Sequence, residues 1–273
     1  MLDLKKLEWK SDYILYDENK IHYFDGDGSK KPIILLHGAT DNGLCWSPVA
    51  QKLSNNYRVI MPDARGHGLT EINPEILSYD LMAKDIAMII QNLNLETPQI
   101  MGHSMGAQIT ILIASKYPEL VSRIVLEDPA IRFKKSSKLK IGFFKFLVKI
   151  IASIQLRGSY EKLLQRGRKQ NPKWSDEELQ PWAESKILFR EKNPKILLEF
   201  LDKSPNWKEV IQKISCPILL ITSNKGITSD EMARDIVDLS RDCKWIKIEG
   251  AGHNIRREQF ERFMQEIQDF FIP

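Results

Sequence analysis

Hydrophobic and polar residues follow two recurring patterns along this chain. Short apolar runs bounded by turn residues occur at 32–37, 57–61, 98–101, 121–126 and 216–222. Such runs are typical of strands covered on both faces, as in a parallel sheet. Elsewhere the apolar residues recur at helical spacing, for example at 78–93 and in the C-terminal stretch 260–270. The pattern predicts an α/β fold, with a mostly parallel central sheet flanked by helices.

The N-terminal part carries a different signal. Residues 12–16 and 20–24 are β-rich runs separated by Asp17-Glu18-Asn19. Two such runs joined by a short polar turn predict an antiparallel hairpin, which we place at the edge of the sheet.

Two helix starts carry capping sequences. Ser175-x-x-Glu178 is a capping box, with Trp174 and Leu179 at the spacing of a hydrophobic staple, and it predicts a helix over 176–190. Further on, Thr228-x-x-Glu231 is a second capping box.

Size and composition narrow the class of protein. A chain of 273 residues can bury one large core and carry an insertion. Its hydrophobic share of 42% and charged share of 28% are typical of a soluble globular protein, and a net charge of +4 is too mild to indicate a nucleic-acid partner. The three cysteines have neither metal-site nor Cys-x-x-Cys spacing, which favours a reducing compartment.

The N-terminus, residues 1–9, has neither the apolar core nor the cleavage pattern of a signal peptide. No apolar run approaches the roughly 20 residues that a membrane-spanning helix needs. We therefore expect a cytoplasmic protein.

One motif carries candidate chemistry. The apolar run at 98–101 leads into Gly102-x-Ser104-x-Gly106, and a helical stretch follows. In a sharp turn from strand to helix the serine backbone is strained, and only residues without Cβ fit two positions before and after it. Ser104 Oγ is expected to stand exposed above the sheet.

Two further motifs occur in a matching order. His37-Gly38-Ala39-Thr40 follows an earlier strand, and Gly250-Ala251-Gly252-His253 lies near the C-terminus. Together with the serine motif, they make the chain similar to the α/β-hydrolase fold family over nearly its whole length. The resemblance implies Ser104 as nucleophile, His253 as general base, and the backbone N–H groups of Ala39 and Met105 as the oxyanion hole. It implies no cofactor and no metal.

The loop Asp63-x-Arg65-Gly-His67-Gly resembles a segment of the same family. We interpret these three side chains as a network that holds the loop, and we do not assign His67 as the base.

The third member of a catalytic triad is less clear. In most of the family an aspartate follows the strand at 216–222, but the loop here, 223–228, has no carboxylate. The family tolerates the acid at the end of the strand after the nucleophile helix, where this chain has Glu127-Asp128-Pro129. A residue before proline is held extended, which suits a side chain aimed out of a strand end. Asp128 is therefore the expected acid.

Glu127 is the second candidate acid and Asp230 the third. The capping box at Thr228 places Asp230 in a first helical turn, where the helix dipole explains a carboxylate. Two other interpretations stay open: Asp128 only shapes the entry to the insertion, or the triad is incomplete.

From 131 to 207 the alternation of strand and helix stops, where the family carries a helical cap. We expect an α/β-hydrolase core at 1–130 and 208–273, with 131–207 as the cap. Within it, residues 138–157 combine large apolar residues with Lys145 and Lys149 one turn apart. We favour a cap helix over a basic helix lying on an anionic membrane surface.

The resemblance implies a serine hydrolase, of carboxylesterase or lipase type, for a small-molecule ester or related acyl compound. The apolar content of the insertion favours an apolar group in that substrate. Because the nucleophile is serine, haloalkane dehalogenase and epoxide hydrolase chemistry are disfavoured. Carbon–carbon bond hydrolysis, cofactor-free haloperoxidase activity and a non-catalytic ligand-binding protein remain alternatives. The sequence gives neither the particular substrate nor the oligomeric state.

Overall fold

The computed structural model describes residues 9–26, 28–71, 78–131, 133, 156–192 and 205–271. Within these ranges one sheet contains eight strands: β1 Lys10–Tyr16, β2 Asn19–Asp25, β3 Pro32–Leu36, β4 Arg58–Pro62, β5 Gln99–His103, β6 Arg123–Glu127, β7 Ile218–Ser223 and β8 Cys243–Ile248. Their order is β1-β2-β4-β3-β5-β6-β7-β8, and only β2 runs antiparallel to its neighbours. The predicted α/β-hydrolase fold class is confirmed, with the β1–β2 hairpin at one edge.

The described ranges hold these α-helices: α1 Ser47–Leu53, α2 Tyr79–Asn92, α3 Met105–Lys116, α4 Tyr160–Gln170, α5 Asp176–Lys192, α6 Trp207–Gln212, α7 Asp230–Leu239, α8 Ile255–Glu258 and α9 Phe260–Phe270. Short 3-10 helices occupy Gly43–Trp46 and Pro118–Leu120. None of the described helices is long and apolar enough to cross a bilayer.

Alternate residues of the strands point into two separate hydrophobic cores, one on each face of the sheet. Ile34 and Leu36 of β3 pack with α2, α3, α6 and α7. Ile33 and Leu35 of the same strand pack with α1 and α9 on the other side. Successive side chains of a strand point to opposite faces, so a strand covered on both sides must be apolar throughout. This explains the unbroken apolar runs in the sequence.

The parallel strands bring five loops to one edge of the sheet. β3, β5, β6, β7 and β8 are parallel neighbours, so their carboxyl ends meet there. The loops that follow them contain all three sequence motifs, and an edge of this kind is where open α/β sheets bind ligands.

Helices α4 and α5 lie between β6 and β7 in the sequence and share a small core of their own. Leu163 of α4 packs with Trp174, Leu179, Trp182 and Ala183 of the α5 region. The predicted helix over 176–190 matches α5, and the predicted staple residues lie in this one cluster.

The capping box before α5 is not formed as predicted. The carboxylate of Glu178 turns to Arg257, with Oε2 2.9 Å from Nε, instead of reaching back to Ser175. A buried guanidinium is a stronger partner for a carboxylate than an exposed backbone N–H. The stretch 138–157 lies outside the described residues except for its last two.

The second predicted capping box is not formed either, because the N-cap lies one residue later than predicted. Ser229 is the N-cap of α7, and its hydroxyl accepts a hydrogen bond from the N–H of Met232. The Thr228 hydroxyl instead donates to the Pro129 carbonyl at 3.1 Å. Asp230 still lies in the first helical turn, as predicted.

Not all polar residues of α2 lie on its exposed face. Asp85 is buried. Its carboxylate accepts hydrogen bonds from Arg65 Nε at 2.6 Å, from Arg65 Nη2 at 2.7 Å and from the Tyr16 hydroxyl. Arg65 comes from the loop 63–68, so this ion pair fastens that loop to α2. Asp80, on the same helix, forms an exposed ion pair with Lys116.

These two aspartates provide a matched stability test. Asp85→Asn leaves the Arg65 charge buried without its counter-ion, and we expect a loss of about 3–5 kcal/mol in the free energy of unfolding. Asp80→Asn removes an exposed pair and should cost less than about 1 kcal/mol. Urea unfolding of both variants measures the difference, and equal losses would contradict a structural role for the buried pair.

Candidate active site

Ser104 occupies a strained turn between β5 and α3. Its backbone has φ 53° and ψ −109°, outside the regions that non-glycine residues normally adopt. The turn is held from β6, because the N–H of Ser104 donates to the Glu127 carbonyl at 3.0 Å. The sharp strand-to-helix turn expected from the sequence is present, but Ser104 is 8% exposed and so is not the exposed residue that the sequence suggested.

The two glycines of the motif have steric reasons to be there. A Cβ on Gly102 would lie 2.3 Å from the carbonyl oxygen of Gly106. A Cβ on Gly106 would lie 2.0 Å from the carbonyl oxygen of Leu36 in β3. Any side chain at either position would force the turn off the sheet.

The loop after β3 lies directly against the serine. A Cβ on Gly38 would be 3.5 Å from Ser104 Cβ and 2.7 Å from His103 Nδ1. Ala39 follows in this loop, and Met105 begins α3. Among the described residues, no hydrogen bond engages the N–H of Ala39 or Met105. Two such backbone donors beside a serine are the groups that an oxyanion hole requires.

Asp128 and His253 meet beside this turn. His253 Nδ1 is 2.6 Å from Asp128 Oδ2. The carboxylate also accepts hydrogen bonds from the backbone N–H groups of Ile227 and Thr228, each at 2.9 Å. Asp128 is fully buried, whereas the His253 side chain is 31% exposed. A buried carboxylate of this kind fixes the tautomer of the histidine and leaves Nε2 free to face a substrate.

The backbone of Asp128 differs from the sequence expectation. We expected the following proline to hold it extended, but its φ is +43°. Asp adopts this left-handed region more readily than most residues. The N–H of Asp128 donates to the Ile221 carbonyl of β7 at 2.9 Å, which keeps the turn against the sheet.

The loop after β7 has no carboxylate of its own, but Gly226 lets it contact Asp128. A Cβ on Gly226 would lie 2.6 Å from Asp128 Oδ2. Only glycine lets this loop approach closely enough to present the N–H groups of Ile227 and Thr228. The loop that carries the acid in most of the family thus holds the Asp128 carboxylate, which directly follows β6.

The two alternative acids have other partners. Glu127 accepts the backbone N–H and Nη1 of Arg256, both at 2.9 Å. Asp230 pairs with Lys247 at 2.8 Å, and its side chain is 44% exposed. Of the three candidates, the structure brings Asp128 alone to His253.

His103, the residue before Ser104, contacts His253. The two imidazole rings lie 4.6 Å apart, and His103 Nε2 is 2.9 Å from the His253 carbonyl oxygen. Burial holds the pKa of His103 well below its usual value, so the ring is neutral and Nε2 donates its proton. The described hydrogen bonds do not include one between Ser104 Oγ and His253, and such bonds often tighten only when a substrate binds.

The loop 63–68 forms the network that its sequence suggested. Asp63 accepts the N–H groups of Gly43 and Leu69 and contacts His22 Nδ1 at 2.8 Å. His67 is buried, and burial lowers its pKa to about 3. Its Nδ1 donates to the Arg65 carbonyl at 2.9 Å, so it serves the loop and does not reach His253.

Sequence reasoning missed a set of buried charged side chains that surrounds the site. These are Asp41, Glu127, Glu178, Lys186, Arg256 and Arg257, of which only Glu127 had been considered for any role at the site. Periodicity gave no signal, because charged residues are normally assigned to the surface. The one hint was the position of Arg256 and Arg257 a few residues after His253.

The described residues contain no group of three or more metal-ligating side chains suited to a metal ion.

The strand order, the turn at Ser104 and the Asp128–His253 pair define a protein of the α/β-hydrolase class. A family model described as serine aminopeptidase, S33, matches residues 27–259. The chain belongs to this family of α/β hydrolases.

Several known proteins are similar to it. N-formylmaleamate deformylase of Pseudomonas putida is 25% identical over 254 residues, covering 91% of each chain. The crystal structure of E-2-(acetamidomethylene)succinate hydrolase superimposes with a TM-score of 0.79 at 20% identity, covering 96% of this chain and 98% of that one. The sn-1-specific diacylglycerol lipase ABHD11 of Danio rerio is 33% identical over 107 residues, 38% of this chain and 33% of the lipase.

The Asp128–His253 contact can be tested without a substrate. We expect a strongly downfield-shifted proton resonance from the His253 Nδ1–H, because this N–H donates to a buried carboxylate. Asp128→Asn should abolish the resonance. Asp230→Asn, which removes only an exposed carboxylate, should leave it in place. Proton NMR of the three folded proteins decides between the two acids, and loss of the signal in Asp230→Asn alone would contradict the assignment.

Proposed function

We propose that this chain is a serine hydrolase of carboxylesterase or lipase type. It cleaves a carboxylic ester or a related acyl compound with an apolar group, through an acyl-enzyme and without a cofactor. The observation that carries the proposal is the 2.6 Å contact between His253 Nδ1 and a buried Asp128, aligned by the N–H groups of Ile227 and Thr228.

In the proposed mechanism, Ser104 Oγ attacks the carbonyl carbon of the substrate while His253 Nε2 takes its proton. The tetrahedral oxyanion accepts hydrogen bonds from the N–H groups of Ala39 and Met105. The intermediate collapses as His253 returns the proton to the leaving group, which departs and leaves an acyl group on Ser104. Water then attacks the acyl-enzyme with His253 again as base.

Asp128 acts through His253 in this scheme. Its carboxylate holds the Nδ1–H tautomer and stabilises the imidazolium that forms when Nε2 takes the serine proton. Since Ile227 and Thr228 donate to both carboxylate oxygens, the carboxylate is already oriented before the proton moves.

We also propose that 131–207 is a helical cap on a core formed by 1–130 and 208–273. Its support is the docking of α5 on loops of the candidate site, through Lys186 to Asp41 and Glu178 to Arg257. Several large apolar residues of α4 and α5 pack on one another, whereas Phe189 of α5 is buried against His67. The preference for an apolar substrate group rests on the apolar composition of the insertion as a whole.

A second candidate is hydrolysis of an N-acyl bond by the same residues. It is favoured by the similarity to N-formylmaleamate deformylase, which extends over 91% of both chains. The acyl-enzyme chemistry is shared, so the two candidates differ only in the leaving group. Comparing a p-nitrophenyl ester with the matching p-nitroanilide and a formanilide separates them.

The decisive experiment is hydrolysis of p-nitrophenyl esters from acetate to dodecanoate. The wild type should turn over, Ser104→Ala should be inactive, and Asp128→Asn should lose kcat by on the order of 10³–10⁴-fold. The control Asp230→Asn should keep the wild-type rate. Chain-length preference then reports whether the substrate group is apolar.

Labelling with a fluorophosphonate provides an independent readout, because it requires an activated serine but no correct substrate. Wild type should be labelled and Ser104→Ala should not. A folded wild type that neither labels nor turns over any ester or amide would overturn the proposal in favour of a ligand-binding protein. Full activity in Asp128→Asn would overturn the assignment of the acid.

A further inference from the structure

The buried charged residues found around the site form one continuous cluster. It joins helix α5, the loop after β3 and helix α8, which follows His253. It contains three acidic and three basic side chains, all at most 6% exposed: Asp41, Glu127, Glu178, Lys186, Arg256 and Arg257. Buried charges cost free energy unless they are paired, so these six side chains are stable only because they pair with one another.

Lys186 of α5 is buried and reaches the loop after β3. Its Nζ lies 2.6 Å from Asp41 Oδ1 and donates to the Thr40 carbonyl at 3.0 Å. Thr40 and Asp41 directly follow Ala39, whose N–H is the proposed oxyanion donor. The ammonium group therefore binds the backbone carbonyl of the residue that directly follows this donor.

The second oxygen of Asp41 extends the cluster to the histidine loop. Arg257 Nη2 donates to Asp41 Oδ2 at 3.0 Å, and Arg257 Nε donates to Glu178 of α5 at 2.9 Å. Burial alone would raise the pKa of Asp41, but the charges of Arg257 and Lys186 outweigh it and hold that pKa far below its usual value. Asp41 is thus an anion paired with cations from two different elements, Lys186 of α5 and both Arg257 and Arg256 of α8.

The turn at Thr40, which Lys186 contacts, is conformationally strained. Thr40 has φ +66°, a left-handed backbone that a β-branched residue rarely adopts. Such a conformation costs on the order of 1–3 kcal/mol and persists only where surrounding contacts enforce it. Lys186 at the Thr40 carbonyl, and the turn hydrogen bond from Asp41 N–H to the Gly38 carbonyl at 3.2 Å, are contacts of that kind.

We propose that Lys186 is a positioning residue for the oxyanion hole: by holding the Thr40 carbonyl and Asp41, it keeps the Ala39 N–H aimed at the developing oxyanion. The inference rests on the proposed function. It also means that the oxyanion hole is complete only when α5 is docked, because the residue that holds the Thr40 turn comes from the inserted helix.

Lys186→Met tests this by separating kcat from KM. The oxyanion develops in the transition state and is absent from the bound ester, so a misaimed donor should lower kcat and leave KM nearly unchanged. We expect kcat for a p-nitrophenyl ester to fall about 10- to 100-fold, the effect of a misplacement on the order of 1 Å. A role limited to stability would lower the melting temperature without changing kcat of the folded enzyme.

A trifluoromethyl ketone provides a second readout, because its adduct with Ser104 places an oxyanion in the hole. Its inhibition constant should rise by about the same factor as kcat/KM falls in Lys186→Met. The control Lys169→Met removes an exposed lysine of α4 and should match the wild type in both measurements.

Lys186→Met alone leaves Asp41 short of one cation and could fail to fold. The double variant Lys186→Met, Asp41→Asn removes one charge of each sign and leaves Arg256 with Glu127 and Arg257 with Glu178. Since it also lacks the donor to Thr40, its kcat should fall to a similar extent.

Wild-type kcat in either folded variant, or a change confined to KM, would overturn the positioning role. Failure of the proposed function is a different result, because then the wild type itself neither turns over nor labels with a fluorophosphonate.

Discussion

The carboxylate of Asp128 imposes the tightest constraint on the candidate site. It is fully buried, and a buried carboxylate is stable only if its lone pairs are used. Two backbone N–H groups, of Ile227 and Thr228, and the imidazole of His253 supply these bonds. The end of β6, the loop after β7 and the loop after β8 must therefore converge on one point. Gly226 permits this convergence, because no side chain fits between its backbone and the carboxylate.

The same edge of the sheet also fixes the serine. Gly106 lies against the backbone of β3, and the N–H of Ser104 is bonded to the last residue of β6. Glu127 therefore has two roles: its carbonyl holds the nucleophile turn, and its carboxylate holds Arg256 in α8, just after His253. Although it is not placed to act as the acid, Glu127 connects the two loops that carry Ser104 and His253.

Sequence patterns anticipated the scaffold well and the polar contacts poorly. The apolar runs indicated the strands because both faces of the sheet are covered, and the staple residues Trp174 and Leu179 do share one cluster. Glu178 was assigned to a capping box but pairs with Arg257. A partner distant in sequence competes there with a local one and wins, because a buried ionic bond outweighs a single exposed cap. Asp85 pairs with Arg65 inside the protein, although no pattern in the sequence marks it as buried.

The sequence by itself determined the fold class and the order of the three motifs. Through the resemblance of its motifs to those of the α/β-hydrolase family it also indicated Ser104 and His253, because motif spacing and apolar periodicity are local properties that a chain displays without folding. Only the tertiary structure decided which carboxylate meets His253, that Asp128 does so with a positive φ, and that Lys186 and Arg257 share Asp41. These facts depend on distances between segments more than 100 residues apart. Charged side chains carry no periodic signal of burial, so their partners follow from the packing of the folded chain alone.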